Sequence, residues 1–296
     1  MARRGSVRAA RHVCEAAAAY ALFAVLGALP VGWASAVGAA LGGSVGPLLP
    51  VHRQGLDNLA RALPELSPVE IRCCARRMWR HLGRVAAEYP HLRRFSVDAP
   101  DGRFEFVGRV HLDEARRSAN GGIFFSGHIG NWEIAAPTLE RDGIPVTAVY
   151  RAANNPIVDR MIARFRSKVV QHLVPKGHDG TRELVRTLGA GRHVALLVDQ
   201  KLNSGIPVPF FGRDAMTAPA VATFALRYDC PIWPVRVERL DGAAFRVTVH
   251  PKLAVPQEGT REERTRAIMV AINRVLEDWI RERPEQWLWL HRRWPD

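Results

Sequence analysis

Lysine is scarce in this chain: only four of its 42 basic residues are lysine, and the rest are arginine. With 29 carboxylates, the 296 residues carry a formal net charge of +13 at pH 7. Because a guanidinium binds phosphate and carboxylate groups in a bidentate manner, we expect an anionic partner. Nucleic acid, an anionic membrane surface, or an acidic carrier protein with a phosphorylated substrate would fit this charge. The arginines are spread along the whole chain and no nucleic-acid-binding motif is visible, which argues against nucleic acid.

Cysteine is also rare. The four cysteines, of which Cys73 and Cys74 are adjacent, show neither zinc-binding spacing nor a disulfide framework. We therefore expect reduced thiols facing the cytoplasm. The chain contains neither a P-loop nor a dinucleotide-binding glycine fingerprint. The missing motifs argue against a P-loop nucleotide-binding protein and against a dinucleotide-dependent enzyme.

Charge is missing altogether from residues 16–51, which follow a basic start and are interrupted at Pro30. A signal peptide would have a shorter apolar region and a sharp cleavage site. A single spanning helix would place the remainder of the chain outside the cytoplasm. Two helices lying in one leaflet would keep both flanks inside, which suits Arg11 and Arg53 on either side. We therefore predict a membrane anchor over residues 1–51, with a pair of buried core helices as the alternative.

Residues 52–100 form a predicted helical lead-in to one α/β domain over residues 52–296. The segment Ser67-Pro68-Val69-Glu70 is a capping box with proline at the first helical position. The helix that it opens carries apolar residues at core-face spacing through Val85. A second capping box, Thr260-Arg261-Glu262-Glu263, opens a helix that ends before Pro284.

Strands and helices alternate from Phe104 onward. Strands are predicted at 104–107, 122–126, 145–150, 193–198, 206–211, 231–237 and 244–250, and helices at 131–142, 155–167, 179–189, 218–228 and 261–282. This alternation predicts an α/β fold with a mixed sheet covered by helices on both faces.

The predicted strand at 122–126 delivers a histidine into a glycine-flanked loop. Gly122-Ile123-Phe124-Phe125-Ser126 precedes Gly127 and His128, and Asn131 is a good N-cap for the following helix. Glu133 lies in that helix's first turn, near enough for us to expect it to orient the imidazole of His128 as a general base. His-x4-Asp/Glu spacing occurs four times, at His52, His128, His178 and His291, but only His128 follows an apolar strand through a glycine turn. The alternative is a plain strand-to-helix turn.

Two further strand ends carry polar residues. The strand at 145–150 is followed by Arg151, Asn155 and a helix that contains Arg166, and the strand at 193–198 by Asp199. Because function collects beyond the carboxyl ends of parallel strands, we expect these residues to converge on one cleft.

Several motifs in order along the chain give a specific resemblance. They are Gly127-His128-Ile129-Gly130-Asn131-Trp132-Glu133, Tyr150-Arg151 with Asn155-Pro156 and Asp159, Arg166, Asp199-Gln200, Val208-Pro209-Phe210-Phe211-Gly212 with Thr217, and the ending Pro284-Glu285-Gln286-Trp287-Leu288-Trp289-Leu290-His291-Arg292-Arg293-Trp294. Together they resemble the acyltransferases of lipid A biosynthesis, within the glycerolipid and lysophospholipid acyltransferase superfamily. The resemblance covers nearly the whole chain. Acyltransferases of phosphatidylinositol mannosides share the His-x4-acid dyad, but the ending looks more like the lipid A branch.

The resemblance implies a reaction and its residues. His128 would take the proton from a hydroxyl of a lipid A precursor, which would attack the thioester of an acyl carrier protein conjugate. Glu133 would fix the imidazole tautomer, as the acid does in hydrolase triads. Arg151 and Arg166 would bind substrate phosphate or sugar, and Asp199 would organise those arginines. Asn131 and Asn155 complete the expected substrate-binding set.

The same resemblance implies partners and a location. The acyl carrier protein, the lipid A precursor and an anionic membrane surface are the expected partners, with no nucleic acid. The enzyme would sit at the cell inner membrane with its catalytic domain in the cytoplasm. Since the thioester is already activated, no metal or cofactor is needed. Trp287, Trp289 and Trp294 would fit an interfacial aromatic belt, and core packing beneath the last helix would explain Trp287 and Trp289 equally well.

Other functions remain to be weighed. The same chemistry could act on another glycolipid or a lysophospholipid. A lipase-like hydrolase with Ser126 as nucleophile is disfavoured because Ser126 stands inside the strand and outside any Gly-x-Ser-x-Gly elbow. A basic binding protein without catalysis, or a pseudo-enzyme scaffold, is the third alternative.

Overall fold

The computed structural model describes residues 2–95 and 103–294, with side chains from Ala10 onward. Within them the α-helices are α1 (Ala2–Ala28), α2 (Val31–Val45), α3 (Val51–Ala62), α4 (Pro68–Glu88), α5 (Arg109–Arg116), α6 (Ala135–Arg141), α7 (Pro156–Arg166), α8 (His178–Gly189), α9 (Ala220–Tyr228) and α10 (Arg261–Glu282). The strands are β1 (Phe104–Val107), β2 (Gly122–Ser126), β3 (Val146–Tyr150), β4 (His172–Pro175), β5 (His193–Leu197), β6 (Lys201–Phe210), β7 (Arg213–Thr217), β8 (Ile232–Arg239) and β9 (Phe245–Val249).

Seven strands form one mixed sheet in the order β1-β9-β8-β2-β5-β3-β4. The five strands from β8 to β4 are parallel, whereas β9 runs antiparallel to β8 and parallel to β1. The strands β6 and β7 form a separate antiparallel hairpin. The carboxyl ends of β2, β3 and β5 therefore meet at one edge of the sheet.

Helices cover both faces of the sheet, as the alternating pattern predicts. Phe125 belongs to a core that includes apolar residues of α8, α9 and α10, while the adjacent Phe124 belongs to a second core with α5 and α6. All five residues of β2 are buried, as expected for a parallel strand covered on both sides. The predicted α/β fold is confirmed.

The amino-terminal segment forms two helices separated at Pro30, as predicted. Helix α2 packs closely against α4 because glycine replaces side chains where the two backbones meet. A Cβ at Gly42 would lie 2.2 Å from the Trp79 carbonyl oxygen, and one at Gly38 would lie 2.3 Å from the Gly83 carbonyl oxygen. The opposite side of α2 is exposed at a spacing of four residues, at Trp33, Val37, Leu41 and Val45.

No single helix among the described residues is long and apolar enough to cross a bilayer. Residues Val31–Leu48 and Val51–Ala62 meet the length and composition requirement only as a pair, and this pair is bent by 91°. The anchor predicted over residues 1–51 thus remains a prediction.

Most of the predicted elements are present, with ends shifted by a few residues. Both capping boxes are formed, at Ser67 with Glu70 and at Thr260 with Glu263. The sequence patterns did not predict α5, β4 or β7. The helix predicted over 131–142 begins as a 3₁₀ turn, Trp132–Ile134, which continues into α6. The predicted end of the lead-in at residue 100 lies outside the described residues.

Candidate active site

Two neighbouring parallel strands bring His128 and Asp199 together. Ser126 of β2 is paired with Leu197 of β5, so each functional residue stands two positions beyond this pair. The Val198 amide donates to the Ser126 carbonyl oxygen, which extends the pairing toward the site. The loop then turns at Gly130, whose φ is +57°. A Cβ at Gly130 would lie 2.0 Å from the Val237 carbonyl oxygen, so only glycine fits this turn.

Asp199 holds both the backbone and the ring of His128. Its Oδ1 lies 2.7 Å from His128 Nδ1, and its Oδ2 accepts the His128 amide at 2.7 Å. The Trp287 indole also donates to Oδ2, at 2.7 Å. Burial alone would favour the neutral acid, but the charge of His128 and these hydrogen bonds lower the pKa of Asp199 to about 2. Asp199 is thus a buried carboxylate that accepts the Nδ1 proton and leaves the Nε2 lone pair available.

The other ring nitrogen of His128 is in contact with Gln200. The two Nε2 atoms are 3.2 Å apart, so the Gln200 amide can donate to the imidazole lone pair. The side chains of His128 and Gln200 both line a cavity of about 570 Å³. The basic nitrogen of His128 therefore faces the space that a ligand would occupy.

Glu133 binds Arg166 rather than the imidazole. Arg166 donates to Glu133 Oε2 from Nε at 2.7 Å and to Oε1 from Nη2 at 2.6 Å, and the Tyr89 hydroxyl donates to Oε1 at 2.6 Å. Burial opposes ionisation of Glu133, but the hydrogen bonds and charge of Arg166 lower its pKa. We expected Glu133 to orient His128 and Asp199 to organise the arginines. The contacts are exchanged: the carboxylate at His128 Nδ1 is Asp199, which follows the neighbouring strand β5, and Glu133 binds Arg166. Trp132 contacts both groups: its indole donates to Glu133 Oε1 at 3.0 Å, and its ring centroid lies 5.1 Å from that of His128.

The two asparagines expected to bind substrate both make hydrogen bonds within the protein. Asn131 is fully buried: its side-chain oxygen caps the 3₁₀ turn at Glu133, and its amide donates to Glu88 at 2.8 Å. Asn155 caps α7 and donates to the His12 carbonyl oxygen of α1 at 2.8 Å. Of the expected arginines, Arg151 is exposed at the rim of the cavity and Arg166 is engaged with Glu133.

A cavity of about 570 Å³ opens beside His128. Its lining is mainly apolar and comes from both faces of the sheet, with Leu184 and Val221 from one core and Leu139 and Val235 from the other. The volume lies in the range of small-molecule sites, roughly 300–1,000 Å³. The polar residues of its lining include His128, Glu133, Arg166 and Lys176. The arrangement suits an amphipathic ligand with an apolar chain inside and a charged end outside.

The carboxy-terminal segment packs behind the catalytic loop. The Leu288 amide donates to the His128 carbonyl oxygen at 3.2 Å, and the Gly130 amide donates to Gln286 at 3.1 Å. Three tryptophans of this segment are buried in the core: Trp287, Trp289 and Trp294. The alternative prediction, that they form an aromatic belt at the membrane interface, is wrong. Arg293 is fully buried over the Phe210 ring and donates to Thr217, which fixes the β6–β7 hairpin.

Sequence reasoning missed Tyr89 and assigned no role to Gln200, Trp287 or Arg293 in this site. Their contacts span 44 to 88 residues of sequence, and no local pattern indicates pairings of that length. The described residues contain no group of three or more His, Cys, Asp or Glu side chains that could hold a metal ion.

Comparison with known proteins gives the family. Residues 5–296 match the family model described as bacterial lipid A biosynthesis acyltransferase. The chain is 24% identical to the lipid A biosynthesis myristoyltransferase of Escherichia coli over 246 residues, which is 81% of this chain and 73% of that enzyme. It is 25% identical to the lauroyltransferase of the same organism, over 82% of this chain and 77% of the relative. The match to the lipid A biosynthesis acyltransferase of Haemophilus influenzae is 22% identical over 64% of this chain and spans only 58% of that protein. Since the family model spans almost the entire sequence, the chain belongs to the family of bacterial lipid A biosynthesis acyltransferases.

Proposed function

We propose that this protein transfers a fatty acyl chain from an acyl carrier protein thioester to a hydroxyl group of a lipid A precursor. The observation that carries this proposal is the His128–Asp199 pair beside a mainly apolar cavity that His128 lines. The relatives are lipid A acyltransferases by name, which supports the acceptor. The apolar cavity supports an acyl donor, and the net charge of +13 supports an acidic carrier protein.

In the proposed reaction, His128 is the general base. The acceptor hydroxyl replaces the Gln200 amide at Nε2 and gives its proton to that nitrogen while its oxygen attacks the thioester carbonyl. The imidazolium that forms is stabilised by Asp199, which keeps the ring in the productive tautomer. The tetrahedral intermediate then collapses to the ester, and the imidazolium returns the proton to the departing thiolate. A base of this kind contributes roughly 10²–10⁴-fold to the rate.

The oxyanion of the intermediate needs hydrogen-bond donors near Nε2. The Gly130 amide is not available because it donates to Gln286, and the His128 amide donates to Asp199. The side-chain amide of Gln200 stands 3.2 Å from Nε2 and is free to turn once the hydroxyl displaces it. We assign it the role of oxyanion donor.

Glu133 acts through Arg166 in this proposal. The carboxylate holds the guanidinium against the rings of Tyr89 and Tyr150, at 5.8 and 5.7 Å, beside the cavity. Arg166 and the exposed Arg151 are then placed to bind phosphate or sugar of the acceptor. Glu133 also adds negative charge near the imidazolium.

The exposed apolar side of α2 supports attachment at the inner membrane, with the catalytic domain in the cytoplasm. A row of apolar residues spaced by four along one helix has no covering partner among the described residues. A helix with one such face lies in the interface of a bilayer.

Mass spectrometry of the reaction tests the proposal. A lipid A precursor is incubated with a panel of acyl carrier protein thioesters and the membrane fraction that contains the wild type or His128→Ala. We expect a mass gain of one acyl chain with the wild type only. A gain on phosphatidylinositol mannoside or lysophospholipid alone would replace the acceptor, and no gain on any acceptor would overturn the reaction.

A further inference from the structure

A second cavity lies outside the active site. It has a volume of about 210 Å³ and is lined by residues of α4, of the β8–β9 turn and of the end of α10. None of its lining residues lines the larger cavity. Its volume is below the range of roughly 300–1,000 Å³ that drug-sized ligands occupy, and it suits a single charged group.

Arginine dominates the lining of this second cavity. The arginines are Arg77, Arg80, Arg84, Arg239 and Arg283, and the carboxylates among the described lining residues are Asp241 and Glu285. We call this cavity the arginine pocket. Arg77, Arg80 and Arg84 are spaced by three and four residues along α4, so they share one face of the helix. Like charges at this spacing destabilise an isolated helix, and an anion bound between them would remove that cost.

The arginines of the pocket differ in their ion-pair and hydrogen-bond partners. Arg239 is buried and paired with Glu88 through two hydrogen bonds of 2.6 and 2.8 Å. Arg84 is half-buried and donates to the Ser35 hydroxyl at 2.9 Å. Burial and the charge of Arg239 lower the pKa of Arg84. Within the described ranges, the guanidinium groups of Arg80 and Arg283 have no carboxylate partner. The five arginines of the described lining outnumber its two carboxylates, and guanidinium groups without a carboxylate partner can bind a phosphate group through paired hydrogen bonds.

The arginine pocket adjoins the exposed apolar side of α2. The alkyl stem of Arg80 packs over Gly43, where a Cβ would lie 2.7 Å from Arg80 Cγ. Around the helix, Gly43 is next to Ala40 and Ala36, two exposed apolar residues that lie between it and the row from Trp33 to Val45. Leu48, just beyond the end of α2, is 81% exposed. An apolar helix face that enters a bilayer brings an adjacent arginine to the depth of the lipid phosphates.

We propose that the arginine pocket binds the phosphate group of an anionic membrane lipid, at a site separate from the acyl-transfer centre. The apolar side of α2 and the arginine pocket then form one docking surface, which recognises the acyl region and the headgroup together. The floor of the pocket reaches the catalytic loop, because Arg239 donates to His81 Nδ1 at 3.2 Å and His81 Nε2 lies 3.0 Å from the Gly130 carbonyl oxygen.

Vesicle binding of the full chain tests this site without any reading of acyl transfer. The double variant Arg80→Gln/Arg283→Gln is compared with Arg182→Gln/Arg261→Gln, which removes the same charge from exposed positions elsewhere. Arg261 opens the 22-residue helix α10 and Arg283 follows its end, so the two residues are about 33 Å apart along the helix. Vesicles of phosphatidylcholine alone are compared with vesicles that contain about one third phosphatidylglycerol.

We expect the pocket variant to lose about 30-fold in affinity for the phosphatidylglycerol vesicles, since each arginine near an anionic surface contributes about fivefold. Binding to phosphatidylcholine vesicles should not change, and the control variant should lose less than about threefold. Inorganic phosphate should compete with vesicles better than chloride at equal ionic strength for the wild type, and no better for the pocket variant.

Three results would overturn the proposal. Equal losses of affinity for phosphatidylglycerol vesicles in the pocket and control variants would show that this binding depends on overall charge. Loss of affinity for an acidic carrier protein with unchanged vesicle binding would make the pocket a protein-docking surface. Competition by inorganic phosphate that is unchanged in the pocket variant would place the phosphate site elsewhere. If the double variant does not fold, the two single variants carry the same comparison at about fivefold each.

Discussion

At the scale of single residues, variants of the Glu133–Arg166 ion pair can distinguish an effect on stability from an effect on acceptor binding. Both side chains are largely buried, and their carboxylate and guanidinium groups make two hydrogen bonds. We expect Glu133→Gln to lower the free energy of unfolding by about 3 kcal/mol, because it leaves a buried guanidinium without its counter-charge. The double variant Glu133→Gln/Arg166→Met should recover most of that loss in chemical denaturation, yet remain poor in acceptor binding. A double variant no more stable than Glu133→Gln would contradict this reading of the pair.

His81 makes stability depend on pH. Burial, followed by the charge of Arg239, lowers the pKa of His81 to about 3 in the folded protein. The unfolded chain, with an ordinary histidine pKa near 6.5, binds this proton at a higher pH. Stability is therefore greatest above pH 6.5 and falls as the pH drops toward 3, by up to about 1.4 kcal/mol per pH unit for this group.

His81→Gln should flatten that fall, because glutamine does not titrate. The measurement is the urea midpoint of wild type and variant between pH 7 and 4.5. The neutral His291, whose pKa is lowered to about 4 mainly by burial, contributes a similar slope in both proteins and serves as an internal reference. Parallel pH curves for the two proteins would show that His81 is not buried in its neutral form.

At the scale of secondary-structure elements, the close approach of α2 and α4 depends on glycine. Gly42→Leu would push a side chain into the Trp79 carbonyl and the Gly83 backbone, which forces the helices apart. We expect a loss of about 3 kcal/mol or more and a lower Tm. Gly189→Ala at the end of α8 is the control, since its Cβ would meet only Tyr228 at 3.8 Å and its stability should be equal or slightly higher. Similar Tm values for both variants would mean that the two helices do not touch through this stripe.

Sequence patterns predicted the elements with strong signals and missed those that tertiary pairing creates. β2 is a buried apolar run bounded by glycine, and both capping boxes carry their own hydrogen bonds. β4, in contrast, has four residues at the sheet edge and no fully buried one, so it lacks an apolar signature. Helix α5 has eight residues and buries only Leu112 and Ala115.

In the candidate site too, sequence patterns predicted what local signals determine and missed what tertiary pairing determines. His128 was predictable because one continuous segment contains the strand, the glycine turn and the histidine. Asp199 could be placed at the cleft but not at Nδ1, since its contact with His128 depends on the register between β2 and β5, 71 residues apart. Glu133 is near in sequence, yet the 3₁₀ turn directs its carboxylate toward Arg166 and Tyr89.

At the scale of the whole molecule, the packing of α2 on α4 changes how membrane attachment should be tested. Removing residues 1–50 would expose the α4 side of this contact, so point variants on the opposite side of α2 are better probes. We expect Trp33→Gln/Leu41→Gln/Val45→Gln to weaken membrane binding by at least about 100-fold while the protein stays folded, because three exposed apolar side chains lose their burial in lipid. Val69→Gln/Val110→Gln, which changes exposed valines on α4 and α5, is the control and should bind normally. Equal membrane binding by all three proteins would remove α2 from the attachment surface.

The central claim is that Asp199 acts through His128 in acyl transfer, and a double-mutant cycle tests it most directly. Rates of acyl transfer to the lipid A precursor are measured for wild type, His128→Ala, Asp199→Asn and the double variant. We predict that Asp199→Asn alone costs roughly 10²–10⁴-fold. The amide oxygen would accept from the His128 amide and the Trp287 indole, so the NH2 group would face Nδ1 and favour the wrong imidazole tautomer. The double variant should then be no slower than His128→Ala, because two residues that act as a unit are not additive. Additive losses, or a wild-type rate for Asp199→Asn, would contradict the account.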